Sequence, residues 1–183
     1  MYKNPEPSDE ILECFDEQGN IINSHTRGEI HTEPPCYWHG VVNVWIVNSQ
    51  LQLLCSKRSE ALSGNPGKWQ TYFGGHVKAG KTFKEAASLE LDEEIGIQVQ
   101  NSKPHLIDTG KNTPSRHFFE SYVYLFEGDV ADLKFNDGEI TEAKWFDMEE
   151  YWKQKQRNPN SWCNSCSLEN QKKIREYIKQ LKK

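Results

Sequence analysis

The chain has 183 residues, of which 36% are hydrophobic and 27% charged, and it carries a net charge of −5. That length suits one domain with a sizeable core, and 6 Trp, 7 Tyr and 8 Phe argue against a disordered chain. The acidic balance argues against a nucleic-acid polymer bound through a broad basic face, and no apolar run approaches the roughly 18 residues that suggest a membrane span.

The first residues, MYKNPEPSDE, lack an apolar signal region, so a cytoplasmic location is expected. ILECFD (11–16) and IINSH (21–25) flank a polar turn ending in Gly-Asn, which reads as a hairpin within an N-terminal extension, 1–35. TRGEIH reads as a helical turn that TEPP breaks. WHGVVNVWIVN (38–48) is β-branched and aromatic enough for a central strand, and LQLLCSKR follows after the short link SQ. SEALSGNPGK (59–68) is a loop, and KWQTYF a strand feeding the glycine-rich FGGHVKAGK. Residues 82–95 carry the clearest helix pattern. Thr82 and Glu85 form a capping box, Phe83, Ala87, Leu91 and Ile95 make an apolar stripe, and Gly96 stands where a helix end takes a left-handed residue. Strands are expected at 117–128 and 140–147, and a helix at 147–156 capped by Asp147. A last helix, within a 157–183 tail, should start near Ser167 and bury Leu168, Ile174, Tyr177, Ile178 and Leu181. Strands and helices mix without strict alternation. The expected fold is therefore α+β, one domain over 1–183 with a mixed central sheet flanked by helices as an α/β/α sandwich.

Cys14, Cys36, Cys55, Cys163 and Cys166 read as reduced thiols. CNSC (163–166) has the gap of a metal or redox pair, but no second such pair exists to complete a tetrahedral zinc site, so ordinary thiols at a helix start are expected.

The sequence GGHVKAGKTFKEAASLELDEEIGI (74–97) poses an electrostatic problem. Glu90, Glu93 and Glu94 share one helix face with Cβ atoms about 5–6 Å apart, at the end where the helix dipole is negative. A solvated acidic face is the plain reading. The intact apolar stripe, the adjoining glycine loop and the lack of a lysine at the next turn favour a divalent cation instead. Hard ions such as Mg²⁺ suit carboxylates plus substrate phosphates.

This stretch resembles the Nudix box: Gly, five residues, Glu, seven residues, then Arg-Glu-aliphatic-any-Glu-Glu-any-Gly-aliphatic. With its first Gly on Gly75, the other fixed positions fall on Lys81, Leu89, Glu90, Leu91, Glu93, Glu94, Gly96 and Ile97, and seven of nine match. LECFDEQGNIINSHTRGEIH, WHGVVNVWIVN, NPGKW and GGHVKAG extend the resemblance, over roughly 11–150, toward the branch related to isopentenyl diphosphate isomerase. The departures are Lys81 for Glu and Leu89 for Arg, a pair that in the family holds the glycine loop to the helix. Losing both avoids a lone unpaired charge but leaves the loop less tightly held.

The resemblance implies a hydrolase that cleaves a diphosphate linkage in a small nucleoside diphosphate-type substrate, with Mg²⁺ or Mn²⁺ held by Glu90, Glu93, Glu94 and the Gly74 carbonyl. Glu93, Glu94, Glu139 and Glu120 are candidates for catalysis, including the general base, while Lys57, Arg58 and Gly75 are candidates for substrate binding. Trp38, Trp45, Tyr72 and Phe118 are candidates for stacking a base, against a core role. A homodimer is compatible with the N-terminal hairpin and the strands beyond the box. One alternative is a Nudix-fold module that binds a diphosphate without turnover. Another is the isomerase itself, whose histidine metal site His76 and His39 match, with His31 near a third but out of register. The isomerases place a catalytic Cys where Gly74 stands. On this reading His39 and His76 are structural rings, each hydrogen-bonded locally.

Overall fold

The computed structural model describes residues 8–62, 64–99, 103–135, 138–163 and 166–181. In chain order its strands are β1 (Ile11–Phe15), β2 (Ile21–Thr26), β3 (Trp38–Val47), β4 (Gln52–Arg58), β5 (Trp69–Gln70), β6 (His105–Asn112), β7 (His117–Leu125) and β8 (Ile140–Asp147). Its helices are α1 (Arg27–Ile30), α2 (Phe83–Ile95), α3 (Met148–Arg157) and α4 (Leu168–Leu181). The path β2-β1-β3-β4-β5 forms the backbone of one mixed sheet. β7 runs parallel along β3 from His39↔His117 to Val47↔Leu125, β6 pairs with β7, and β8 pairs with β4. The parallel neighbour requires a long crossover, and α2 lies within it.

Alternation along β3 divides the core between the two faces. Val42, Val44 and Ile46 pack with Leu54 and Phe73 against Ala86, Ala87, Leu91 and Ile95 of α2. Trp45 and Val47 face the other way, into a cluster with Leu53, Phe146, Met148, Tyr151, Ile174 and Ile178. This is the sandwich expected from the mixed pattern. α2 begins as its capping box dictates: Thr82 accepts from the Glu85 amide and Glu85 reaches back to the Thr82 amide. It ends at Gly96, in the left-handed conformation with φ 70°. Asp147 caps α3 by accepting from the Glu149 and Glu150 amides. Among the described residues no helix is long and apolar enough to cross a membrane.

Two expectations change and one strand is added. KWQTYF is a strand only at Trp69–Gln70; beyond it the chain follows β3 through single bridges, Val44↔Phe73 and Val41↔His76, because the glycines that follow break the pleat. β6 escaped notice because its residues are mostly exposed and polar, and only pairing with β7 makes it a strand. In α4, Ile174 and Ile178 are buried as expected, but Leu168 and Leu181 are exposed at the two ends, and Tyr177 stacks on His105 with 4.2 Å between ring centroids. All five cysteines are free thiols; Cys163 and Cys166 are buried, Cys166 in the cluster with Tyr151 and Ile174, and residues 164–165 of the CNSC stretch lie outside the described residues. Burial pushes the Cys166 thiol up to about 12, which suits a packed, unreactive side chain.

Candidate functional site

The acidic end of α2 opens on a cavity of about 530 Å³ beside the glycine turn. Glu90, Glu93, Glu94, Gly74 and Gly75 all line it. The turn approaches the helix closely. The Gly74 amide donates to Glu94 Oε1 at 2.7 Å, and a Cβ on Gly75 would sit 2.5 Å from Glu90 Oε1. Gly74 itself has φ 155°, and a Cβ there would lie 2.0 Å from the Val42 carbonyl, so only glycine fits. Glu94 is buried, whereas Glu93 is half exposed. Burial, and then the charge of Glu93, push the Glu90 carboxyl up to about 7. The glutamates are not without a lysine: Lys78, from the loop, donates to both Glu93 oxygens at 3.0 Å, a partner invisible to a search along the helix alone.

The other expected residues divide. Arg58 lines the cavity, with Nε donating to the Gly64 carbonyl at 2.9 Å and Nη1 to Gln70 at 3.2 Å. Its neighbour Lys57 is not among the lining residues, because successive strand residues point to opposite faces. Glu139 is on the rim, its carbonyl accepting from the Ser59 amide. Glu120 is not brought there. It sits three residues after His117, an odd step along β7, and so faces a different depression with Phe15, Phe83 and Tyr122, whose hydroxyl donates to it. Of the four aromatics considered for stacking, Tyr72 alone lines the cavity; Trp38 packs on Phe118 and Trp45 lies in the core.

The histidines lining the same cavity are the largest departure from expectation. His31, His39 and His76 are not separate, locally bonded rings. Their ligand-capable atoms all lie within 4.8 Å of one another, and His31 Nε2 and His76 Nε2 are 3.0 Å apart. Burial, then the nearby His31 and His117, hold His39 down at about 4, and burial likewise lowers His76. Both rings are therefore neutral at pH 7, the form that binds a metal. His31 arrives from the end of α1, which chain register alone could not bring into line. Imidazole donors suit borderline ions such as zinc, and the carboxylates of the same cavity suit hard ions such as Mg²⁺.

Comparison with known proteins places the chain in a family. The NUDIX domain family model matches residues 38–163, so the chain belongs to the Nudix family. It is 28% identical over 137 residues to an uncharacterised Nudix hydrolase of Nostoc, covering 74% of this chain and 79% of that one. It is 26% identical over 113 residues to an isopentenyl-diphosphate Delta-isomerase of Klebsiella pneumoniae, covering 60% and 61%. The crystal structure of DR0079 from Deinococcus radiodurans superposes with a TM-score of 0.68 at 22% identity, covering 93% of this chain and 98% of that one, which shows the shared fold.

Proposed function

We propose that the chain is a metal-dependent hydrolase of a diphosphate linkage in a small molecule of the nucleoside diphosphate type. The observation that carries this reading is the convergence of Glu90, Glu93 and Glu94 on a glycine turn inside one cavity. The donor set fits Mg²⁺ or Mn²⁺: Glu93 and Glu94, with Glu90 once ionised, are oxygen ligands for a hard ion. Such an ion supplies phosphate charge neutralisation and a more acidic water. The chain's own residues would do the rest. Gly75 lets the backbone approach the phosphates, Arg58 balances their charge, and Glu139 or a box glutamate takes the proton from the attacking water. Tyr72, which lines the cavity, would be the aromatic to stack a base. The test is a panel of nucleoside diphosphate derivatives with Mg²⁺ or Mn²⁺. Phosphate-containing products that disappear on adding chelator support the proposal, whereas tight binding with no product in either metal points to a module without turnover.

The histidine cluster supports a second cation position but not isomerisation. With Gly74 in place of the isomerase thiol, the acid–base group for moving a double bond is missing. Gly74→Cys is not expected to restore it, since the new Cβ meets the Val42 carbonyl. The expected outcome is a loss of about 3 kcal/mol or more in urea unfolding, with no allylic product from isopentenyl diphosphate.

A further inference from the structure

We propose that Lys78 is a displaceable strut: its ammonium, which pairs with Glu93, gives way to a divalent ion on that carboxylate and passes to the substrate's phosphates. The inference rests on the glutamate site proposed above and names a residue that the box pattern does not contain.

Four observations support it. First, the family's loop-to-helix pair has no counterpart in Lys81 and Leu89, yet the loop must still be held. Two other contacts hold it, the Gly74 amide on Glu94 and the Lys78 ammonium on Glu93. The lysine contact is an ion pair with the cation on the loop and the acid on the helix. The resemblance implies the reverse polarity for the family, an acid on the loop and a cation on the helix. Second, the contact engages both oxygens of Glu93, at 3.0 Å each, so a metal cannot take that carboxylate without displacing or sharing the ammonium. Third, the lysine's backbone cannot follow its side chain. Lys78 bridges Leu12 of β1, its carbonyl accepts from the Lys81 amide, and the Ala79 amide next to it donates to Ile11. Only the flexible four-carbon stem is free to move. Fourth, the ammonium already has a second acidic neighbour. Glu10 Oε1 is 3.7 Å away, and Glu10 Oε2 is 3.5 Å from Arg27 Nη1, so the Glu10 carboxylate bridges two cationic side chains that both line the cavity.

The physical consequence is an exchange of partners without loss of charge balance. An ammonium on Glu93 neutralises part of the cluster while no metal is bound. With a divalent ion on Glu93 the Lys78 ammonium would be displaced by charge repulsion, and a bound diphosphate would offer it new acceptors within the same cavity. The strut thus lowers metal affinity in the absence of substrate and raises substrate affinity once the metal is present.

Two variants with opposite expected signs test this. Lys78→Met removes the competitor, and Lys78→Arg replaces it with a planar cation that grips a carboxylate more firmly. Mn²⁺ binding is read by electron paramagnetic resonance without any substrate. Because the pair is partly exposed, Lys78→Met is expected to tighten Mn²⁺ about two- to five-fold and Lys78→Arg to weaken it by a similar factor. With saturating Mn²⁺, Lys78→Met should bind the non-hydrolysable probe methylenediphosphonate about five-fold or more weakly than wild type, a charge-assisted hydrogen bond being lost. Equal Mn²⁺ affinity in all three proteins overturns the strut, and unchanged diphosphonate affinity in Lys78→Met overturns the hand-over. Mn²⁺ binding that is absent from wild type, or unaffected by Glu93→Gln, sinks the glutamate site itself, so the two failures are distinct.

Discussion

Glu94→Gln is expected to abolish metal-dependent turnover, by about 10²–10³-fold in kcat, while leaving the fold intact. The separation follows from what Glu94 does in the structure. Its Oε1 accepts the Gly74 amide at 2.7 Å, and a glutamine carbonyl oxygen accepts the same bond. Removing the negative charge costs metal affinity, but retaining the acceptor keeps the glycine turn in place. Glu94→Ala differs in kind. It leaves the partly buried Gly74 amide without its partner, and stability should drop by about 1–3 kcal/mol along with activity. Steady-state kinetics and thermal melting of both variants check the point. A glutamine variant within two-fold of wild-type activity would remove Glu94 from the mechanism.

The second large effect is a pH dependence centred on Glu90. Its carboxyl lies at about 7 rather than the ordinary 4.5, first through burial and then through Glu93. The folded protein therefore binds more protons than the unfolded chain between those two values. The associated stability is present below 4.5 and is lost as pH rises through 7. Glu90 is only partly buried by its exposed area although densely surrounded, and that solvent contact reduces the full effect to about 2 kcal/mol. Two histidines work in the opposite sense: buried His39 and partly buried His76, held low, contribute stability above their ordinary 6.5 that is lost on acidification. The informative quantity is thus the difference between wild type and Glu90→Gln, in which the histidine contribution cancels. Without metal, Glu90→Gln should melt about 4–8 °C higher than wild type at pH 8, and the difference should vanish near pH 4. Adding Mg²⁺ or Mn²⁺ reverses the sign, because a cation favours the ionised carboxylate; metal affinity of wild type should climb with pH up to about 7 and then level off. A flat difference between the two proteins across this range would show that Glu90 titrates normally.

These effects explain why an acidic helix end is tolerated. Taken along α2 alone, three glutamates at the negative end of a helix are unfavourable. In the folded chain each has a different relief: Glu94 has a backbone amide, Glu93 has an ammonium, and Glu90 tends toward its neutral form. The site is held in a charged but compensated state that a divalent ion can convert.

Local patterns in the sequence determine much of this protein. The capping box at Thr82 and Glu85, the stripe from Phe83 to Ile95 and the glycine at 96 define α2 within its own residues, because helix signals are short-range. The same spacing places three carboxylates on one face, and the β-branched run at 38–48 can hardly be other than a central strand. What distance along the chain conceals, only the tertiary structure decided. His31, His39 and His76 come from a short helix, a strand and a glycine turn, and no periodicity links them. Lys78 reaches Glu93 across 15 residues, and Glu120 turns away from the cavity because an odd number of strand steps separates it from His117. Contacts between elements depend on how the sheet and helices pack, and packing is a property of the whole chain rather than of any window within it.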